Sequence, residues 1–234
     1  NYILIPKFIP YFWYRELNMS LVDDSKKNLS VELQAIIPES NVLLESKGLE
    51  EAIVLLLNFE KKCRSNSDLT SLKAVCLHMV RMCRTKDEDW AKLNSTLIII
   101  NKRRAQSKEV VVAIVKEALT YVENSPGPEE KVTLIKTLME ICETKIYVEA
   151  ESARLHLMLA LIYEGDGKLD LACDTIQDVH VETYGSLTRE EKAEYIIHQV
   201  RLNLLNKDYV RAKIQSRKMN RWVGAWDKKR GCHF

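Results

Sequence analysis

The sequence predicts an all-α protein, a right-handed solenoid of about four to five antiparallel helix pairs of the tetratricopeptide-like kind. The first observation is a pattern of apolar, helix-length segments that recurs about every 40 residues. The second is composition, because seven Gly and five Pro in 234 residues are few for a fold of many turns. One helix pair cannot bury its own apolar face, so neighbouring pairs must stack into a continuous core.

Two sets of segment starts define the helix pairs. First helices are expected to begin near Leu49, Glu88, Pro128, Lys168 and Lys207. Second helices are expected to begin near Leu69, Lys108, Val148 and Thr188. Within each set the starts follow one another at a nearly constant interval, the repeat period. Each repeat therefore contains two helices of roughly 15 residues, and surfaces built this way typically bind proteins or RNA.

Residues 1–47 are predicted to form a partly irregular extension before the repeats. Its beginning is rich in aromatic side chains: Tyr2, Phe8, Tyr11, Phe12, Trp13 and Tyr14. This stretch matches nothing later in the chain, and Met19 opens a more ordinary polar segment, so we expect residues 1–18 to be non-native. The alternative is an aromatic membrane-surface anchor, since the stretch is too short to span a bilayer.

Apolar residues at helical spacing identify the helices in turn. The run from Val31 to Ile37 predicts one helix that ends at Pro38. The repeat region, residues 48–220, opens with stripes at Leu49, Ala52, Ile53, Leu56 and Leu57, and at Leu69, Leu72, Val75, Cys76, Met79, Val80 and Cys83. Later stripes run from Trp90 to Leu97, Val110 to Tyr121, Val132 to Cys142, Val148 to Leu161 and Ala193 to Val200.

Capping residues mark where these helices begin and end. Asp68 is a candidate N-cap, and Pro128 suits a first helical turn. The glycines of Gly165-Asp166-Gly167 can adopt the left-handed geometry that ends a helix. Thr188 followed by Glu191 predicts a capping box.

A large residue followed three positions later by a small one recurs at the start of the first helices. The pairs are Leu49 with Ala52, Leu169 with Ala172 and Tyr209 with Ala212, with Trp90 and Leu93 as a looser copy. This spacing places both residues on one helix face, where the small side chain lets a partner helix approach and the large one fills the gap between repeats.

The six cysteines contain no C-x-x-C pair, and five of them, Cys63, Cys76, Cys83, Cys142 and Cys173, lie within helical patterns. This predicts buried, reduced thiols and a reducing compartment, so the sequons at Asn18, Asn28 and Asn94 carry no glycan. The sixth, Cys232, lies in residues 221–234, a divergent basic tail. Residues 211–230 carry a net charge of +7, which leaves −5 for the rest of the chain.

No pattern typical of catalysis or of ligand binding is present in the sequence. No histidine forms an H-x-x-x-H pair, and Cys76 and His78 point about 200° apart around a helix axis, so they cannot share a metal. The sequence also contains no glycine-rich phosphate loop and no G-x-S-x-G elbow. We therefore predict no enzymatic activity, no metal, no cofactor and no small-molecule substrate.

Several short runs match one family in particular. They are Lys145-Ile146-Tyr147-Val148-Glu149, Ala153-Arg154-Leu155, Val181-Glu182-Thr183-Tyr184-Gly185-Ser186, and Lys207-Asp208-Tyr209 with Lys218; Leu55 to Arg64 and Asn101 to Arg104 fit less tightly. Over about residues 45–220 the chain resembles the family of the non-ATPase regulatory subunit 12 of the 26S proteasome, which belongs to the PCI family. The run from Val181 to Ser186 is the most specific.

This resemblance implies a non-catalytic scaffold arm of the regulatory particle lid, acting in ubiquitin-dependent degradation in the cytoplasm and nucleus. Its implied partners are other lid subunits, including the deubiquitinating one, with no membrane involved. In the family a winged-helix PCI module follows the repeats, and we expect it to be absent here, because residues 222–234 do not resemble the family's continuation. Candidate interface anchors in the matching runs are Tyr147, Arg154 and Tyr184.

Two alternatives stay open. The first is the same architecture in a sister PCI complex, the COP9 signalosome or a translation initiation complex, and the run from Val181 to Ser186 argues against it. The second is an RNA-binding helical repeat, which needs basic or aromatic groups that recur on one face with the repeat period. The basic groups cluster at one end of the chain instead, which disfavours nucleic acid as a partner.

Overall fold

The computed structural model describes the backbone of residues 29–85 and 89–230, and the side chains of residues 29–84 and 89–219. Over these ranges every regular element is helical and no strand occurs, which confirms the predicted all-α class. The α-helices of this part of the chain are α1 (Ser30–Ser46), α2 (Leu49–Ser65), α3 (Leu69–Thr85), α4 (Trp90–Asn101), α5 (Lys108–Glu123), α6 (Pro128–Cys142), α7 (Glu149–Gly165), α8 (Leu169–Gln177), α9 (Arg189–Leu205) and α10 (Tyr209–Arg230). Short 3-10 segments lie at Ile146–Val148 and Val181–Thr183.

The helix-pair repeat is confirmed. Helices α2, α4, α6, α8 and α10 are the first helices of successive repeats, and α3, α5, α7 and α9 are the second helices. Each begins at its predicted start or one or two positions after it, although Glu88 itself lies outside the described residues. The repeat period is therefore a property of the fold, and the hand of the stack stays a prediction.

Side-chain caps mark the beginnings of several helices. The Thr188 hydroxyl accepts from the backbone N–H of Glu191 at 3.2 Å, and the Glu191 carboxylate accepts from the N–H of Thr188 at 3.0 Å, so the capping box is present. Asp68 accepts from the N–H of Ser71 at 3.2 Å and caps α3 as predicted. Asp89, which was not predicted, caps α4 by accepting from the N–H of Lys92 at 2.9 Å.

The prediction that Pro38 ends the first helix is wrong. Helix α1 runs from Ser30 to Ser46 with Pro38 inside it. A proline within a helix removes one hydrogen bond and costs about 3 kcal/mol in an isolated helix. Here α1 packs against α2, and its buried residues Ser40 and Leu44 both lie after the proline. Tertiary packing therefore outweighs the local preference.

The described chain divides into two compact units between Val75 and Cys76, within α3. The first unit contains α1, α2 and the start of α3. Its core includes the buried α2 residues Ala52, Ile53, Leu56, Phe59 and Cys63, together with Leu29, Leu44, Leu72 and Val75. The backbone N–H of Leu29 donates to Asp68 at 3.0 Å, which links the start of α1 to the cap of α3.

The second unit contains the rest of α3 and helices α4 to α10. Each helix from α5 to α10 packs against the next, and α4 also packs against α6. A cluster of buried residues joins α7, α8 and α9: Ala150, Ala153, Ala160, Ala172, Cys173, Ile176, Val179, Val181, Leu187, Tyr195, Ile196 and Leu202. This cluster fixes the spacing of the last two repeats.

The small residues of the large-then-small pattern lie at helix contacts as predicted. Ala52 and Ala172 are fully buried, and Ala212 is nearly so. Tyr209, however, is 65% exposed, so it does not fill a gap between repeats, because no described residue packs over that side of α10. The five cysteines predicted within helices are all buried, and none of them forms a disulfide with another described residue, whereas Cys232 lies outside the described residues.

Helix α10 crosses the predicted boundary at residue 220 and continues to Arg230. The backbone of the basic tail is therefore helical as far as Arg230. Residues 231–234, which include His233, lie outside the described part of the chain. The aromatic residues of segment 1–14, Met19 and the sequons at Asn18 and Asn28 also lie outside it. Within the part that is described, no helix is long and apolar enough to cross a membrane.

Candidate protein-interaction surface

Ion pairs join the second helices of neighbouring repeats in the second unit. Four pairs, which we call the ion-pair ladder, connect residues about one repeat apart: Arg81 of α3 with Glu117 of α5, Lys116 of α5 with Glu151 of α7, Arg154 of α7 with Glu191 of α9, and Glu164 of α7 with Arg201 of α9. The ladder therefore marks one face of the repeats.

Two pairs of the ladder are bidentate. Arg81 donates to Glu117 from Nε at 2.7 Å and from Nη2 at 3.2 Å. Arg201 donates to both carboxylate oxygens of Glu164, with Nη2 2.7 Å from Oε2. The hydrogen bond from Arg81 lowers the pKa of Glu117, and the hydrogen bond from Arg201 lowers the pKa of Glu164.

The ion-pair ladder aligns the second helices of neighbouring repeats, and it adds little to the free energy of unfolding. Exposed ion pairs contribute only about 0.2–1 kcal/mol each, because solvent screens the charges. The side chains of Arg81, Lys116 and Arg154 are all about half exposed. Each of these charges is matched by a carboxylate on the neighbouring repeat.

Arg154, one of the predicted interface anchors, is a member of the ladder. Its Nη2 lies 2.6 Å from Oε1 of Glu191, the same carboxylate that completes the capping box of α9. Arg154 thus holds the beginning of α9 against α7. Its role in an interface stays a prediction, and the structure gives it an internal partner as well.

A groove of about 690 Å³ lies beside the end of α6, the start of α7 and the end of α8. We call it the α6–α8 groove. Its charged lining residues are Glu140, Glu143, Lys145, Glu149, Asp174 and Asp178, and His156, Thr175 and Tyr184 also line it. Five carboxylates against one ammonium group give the groove a negative potential.

Hydrogen bonds shape the walls of this groove. Thr144, with a φ of 63°, ends α6, and the ammonium group of Lys145 donates to the carbonyl oxygen of Ile141. The Glu149 carboxylate accepts from the backbone N–H of Gly185 at 2.9 Å and from the Ser186 hydroxyl at 3.2 Å. The run from Val181 to Ser186, which carries the most specific resemblance, is therefore attached to the start of α7 one repeat earlier.

Tyr184, the second predicted anchor, lines the α6–α8 groove and also packs against the buried cluster of α7, α8 and α9. Burial is the main reason that the pKa of its hydroxyl is raised, and the nearby Glu149 and Glu182 raise it further. The residue is thus partly a core residue and partly a surface residue. Of the three predicted anchors, it is the one that lines the groove.

Tyr147, the third predicted anchor, lies between two groove-lining residues in the segment before α7. The residue is 37% exposed, and the ammonium group of Lys108 lies 5.9 Å from the centroid of its ring. The ring therefore contacts α5 of the preceding repeat and does not line the groove. The structure places the three anchors at three different locations, and their interface roles stay predictions.

Sequence reasoning missed the acidic lining of the groove. Glu143, Glu149 and Asp178 come from three separate segments, and they line one groove only when α6, α7 and α8 pack together. No motif or spacing signals such a cluster. Among the described residues, no group of three or more His, Cys, Asp or Glu side chains is arranged to hold a metal ion.

A family model described as "PSMD12/CSN4, N-terminal" matches residues 51–229 of the chain. Among curated proteins, the chain is 40% identical over 176 residues to the 26S proteasome non-ATPase regulatory subunit 12 homolog B of Arabidopsis thaliana. The aligned region covers 75% of this chain and 40% of that relative. It is 35% identical over 205 residues to the 26S proteasome non-ATPase regulatory subunit 12 of Dictyostelium discoideum, covering 88% and 46%.

It is also 32% identical over 195 residues to the 26S proteasome regulatory subunit RPN5 of Saccharomyces cerevisiae, covering 82% of the chain and 43% of that relative. The chain thus spans less than half the length of these curated relatives. A comparison with solved structures matches BtubC of P. vanneervenii with a TM-score of 0.40 and 10% sequence identity. The match covers 91% of this chain and 95% of that one. A Podosopora anserina kinesin light chain with TPR-like repeats has a TM-score of 0.41, 16% identity, and coverage of 86% and 99%.

Proposed function

The chain belongs to the family described as PSMD12/CSN4, N-terminal, and from this premise we propose that it is a non-catalytic scaffold arm of the 26S proteasome regulatory particle lid. The resemblance predicted from the sequence is confirmed. The observation that carries the proposal is the match of residues 51–229 to this family together with 32–40% identity to proteasome regulatory subunits. The segment from Val181 to Ser186, for which we predict the most specific resemblance, is attached to Glu149 and contributes Tyr184 to the acidic groove.

A scaffold role follows from how the repeats are joined. Stacked helix pairs expose a long surface made of side chains from many repeats, and partners bind across it. The relatives are named non-ATPase regulatory subunits, which supports a non-catalytic role. As part of the same proposal, the chain acts in ubiquitin-dependent degradation in the cytoplasm and nucleus.

The partners that we propose are other lid subunits, including the deubiquitinating one. The α6–α8 groove favours a partner segment with basic side chains, because Glu143 and Asp178 are exposed carboxylates on its walls. Tyr184 on the same wall can contribute apolar contact area. In this account the groove supplies the specificity, and the ladder holds its walls in place.

Affinity capture from cell extract tests the function. A tagged chain should recover proteasome lid subunits, identified by mass spectrometry. Reversal of two groove charges, Glu143→Lys with Asp178→Lys, should lower that recovery by about tenfold or more, since a lost charge pair of about 1.4 kcal/mol changes affinity tenfold. The matched control is the reversal of two exposed carboxylates elsewhere, Glu109→Lys with Glu123→Lys, which should leave recovery unchanged.

Other outcomes identify the alternatives. Recovery of COP9 signalosome or translation initiation subunits in place of proteasome subunits would assign the chain to a sister complex, and the family description names CSN4 beside PSMD12. Recovery of RNA in a salt-sensitive manner, without proteasome subunits, would move the functional site to the basic residues 211–230.

A further inference from the structure

The α6–α8 groove lies within the second unit, with described helices before and after it in the chain. Its walls come from the end of α6, the first turns of α7 and the end of α8, together with Ile146 and Tyr184. Helices α9 and α10 follow, and neither contributes a lining residue. Each repeat of a solenoid contacts only its neighbours, so a further repeat after α10 would not cover this groove. An occupant of the groove therefore comes from outside the stack of repeats.

Ile146 is an apolar residue held at the edge of the groove, with 82% of its surface exposed. Lys145 before it donates to the carbonyl oxygen of Ile141, and Val148 two positions after it is fully buried. Because both sides of this short 3-10 segment are anchored, the fold itself keeps Ile146 exposed. An isolated exposed isoleucine is common, but this one borders a cavity with further apolar lining, which indicates a contact surface. That lining includes Met139, Val179 and Tyr184.

Carboxylates surround these apolar residues. Glu143 and Asp178 are exposed and form no ion pair with any described residue. Asp174 accepts from the amide of Gln177 at 3.2 Å, and a neutral donor leaves the charge of the carboxylate in place. The ammonium group of Lys145 is engaged at the C-terminal end of α6, where a helix end favours a cation. The groove thus keeps negative charge that the described chain does not neutralise.

The length of the groove limits the size of the segment that it can bind. Along α7 the lining extends from Glu149 to His156, which is about two helical turns or about 10.5 Å. On α8 the lining includes Asp174 and Asp178, which are about one turn apart. This length accommodates about two turns of a partner helix or about three extended residues. One apolar side chain with a basic side chain on either side of it fits this length.

We propose that the α6–α8 groove binds a short amphipathic segment of a partner protein. One large apolar side chain of that segment packs against Ile146 and Tyr184. Lys or Arg side chains on both sides of it pair with Glu143 and Asp178. The apolar anchor is the new element, because negative charge alone would accept any basic segment, whereas the exposed Ile146 selects one that also carries a large apolar residue.

The two kinds of contact have different effects. Burial of apolar area against Ile146 holds the segment, and salt does not screen it. The charges orient the segment and speed its association. The same carboxylates repel the phosphates of a nucleic acid, which makes a protein segment the favoured occupant. The inference rests on the proposed function, since it specifies the chemistry by which the groove would recognise a lid subunit.

Photo-crosslinking from position 146 tests the inference. The full chain, with Ile146 replaced by the photoreactive amino acid benzoylphenylalanine, is irradiated in cell extract, and the cross-linked peptide is sequenced by mass spectrometry. We expect an apolar residue at the cross-link with Lys or Arg within about one helical turn on both sides. The matched control carries the same replacement at Val42, an exposed apolar residue of α1, and should not cross-link to that segment.

Binding of the sequenced segment, made as a labelled peptide, shows which groups hold it. In fluorescence anisotropy with the purified chain, Ile146→Ser should weaken binding by about tenfold, because it removes the apolar contact. Glu143→Lys with Asp178→Lys should weaken it by at least as much. Val42→Ser should leave binding unchanged. Circular dichroism melting confirms that each variant is folded.

The outcomes separate this inference from the proposed function. No cross-link from position 146, a cross-linked segment that is acidic or lacks an apolar residue, or a peptide affinity that Ile146→Ser does not change overturns the inference. Recovery of lid subunits without a cross-link from position 146 overturns the inference and leaves the proposed function in place. A basic amphipathic segment from a protein outside the lid supports the inference and contradicts the proposed function.

Discussion

The ion-pair ladder and the exposed apolar residues Ile197, Leu204 and Leu205 of α9, which we call the α9 stripe, lie at corresponding repeat positions but differ in chemistry. Glu164 of α7 binds Arg201 in the ladder, and Leu204, one repeat period later, is half exposed without a described partner. Glu117 pairs with Arg81, and Ile197, two periods later, is likewise half exposed. The ladder satisfies its charges within the chain. At the stripe, in contrast, no described repeat follows to meet the apolar side chains at the same repeat positions.

The largest expected effect concerns the core that both regions share. Ala172 is fully buried where α8 packs against its neighbours. Ala172→Arg should lower the free energy of unfolding by several kcal/mol, on the order of 3, because it overpacks the contact and buries a charge. Lys168→Ala, at an exposed residue one turn earlier, should cost about 0.5 kcal/mol or less. Equal melting shifts for the two variants would contradict the packing described here.

A second prediction compares the two sides of α9. Gln199 is fully buried, and its amide donates to the carbonyl oxygens of Ile176 at 2.7 Å and Val179 at 3.0 Å, just where α8 ends. Gln199→Leu should cost about 1–3 kcal/mol in urea unfolding, since it leaves buried carbonyl groups unsatisfied. Leu204→Glu on the exposed side should change stability by about 0.5 kcal/mol or less. The reverse ranking would mean that the stripe is part of the core.

Gln199 also shows what the sequence could and could not predict. Helix starts were predictable from caps such as Thr188 with Glu191, because capping is a local interaction. Buried alanines such as Ala172 were predictable from spacing. The burial and hydrogen bonds of Gln199 could not be predicted, because its partners are carbonyl groups at the end of another helix, far from it in the sequence.

The same limit applies to the surfaces. Neither the acidic lining of the α6–α8 groove nor the pairing of Arg154 with Glu191 has a local signature, since each depends on residues from different repeats. The prediction that Pro38 ends the first helix was wrong for the opposite reason. The packing of α1 against α2 outweighs the strong local tendency of proline to end a helix. Caps and buried alanines were predictable from local spacing, whereas specific side-chain contacts between different repeats were not.

The smallest effect concerns the ladder. The hydrogen bond from Arg201 lowers the pKa of Glu164 from its ordinary value of 4.5. A carboxyl group whose pKa is lower when folded adds stability above its unfolded pKa, and that stability is lost as the pH falls through the folded value. The wild type should therefore lose about 0.5 kcal/mol more than Glu164→Gln as the pH falls from about 6 to 3. Identical pH profiles in chemical unfolding would show that the pair contributes nothing.

The most direct test of the scaffold account is quantitative affinity capture with three variants in parallel. We expect the wild type and the stripe variant Leu204→Glu to recover lid subunits equally, because the stripe lies outside the α6–α8 groove. The groove variant, Glu143→Lys with Asp178→Lys, should recover about tenfold less. Equal recovery of lid subunits by the groove variant would remove the groove from the account, and failure of the folded wild-type chain to recover any lid subunit would contradict the account as a whole.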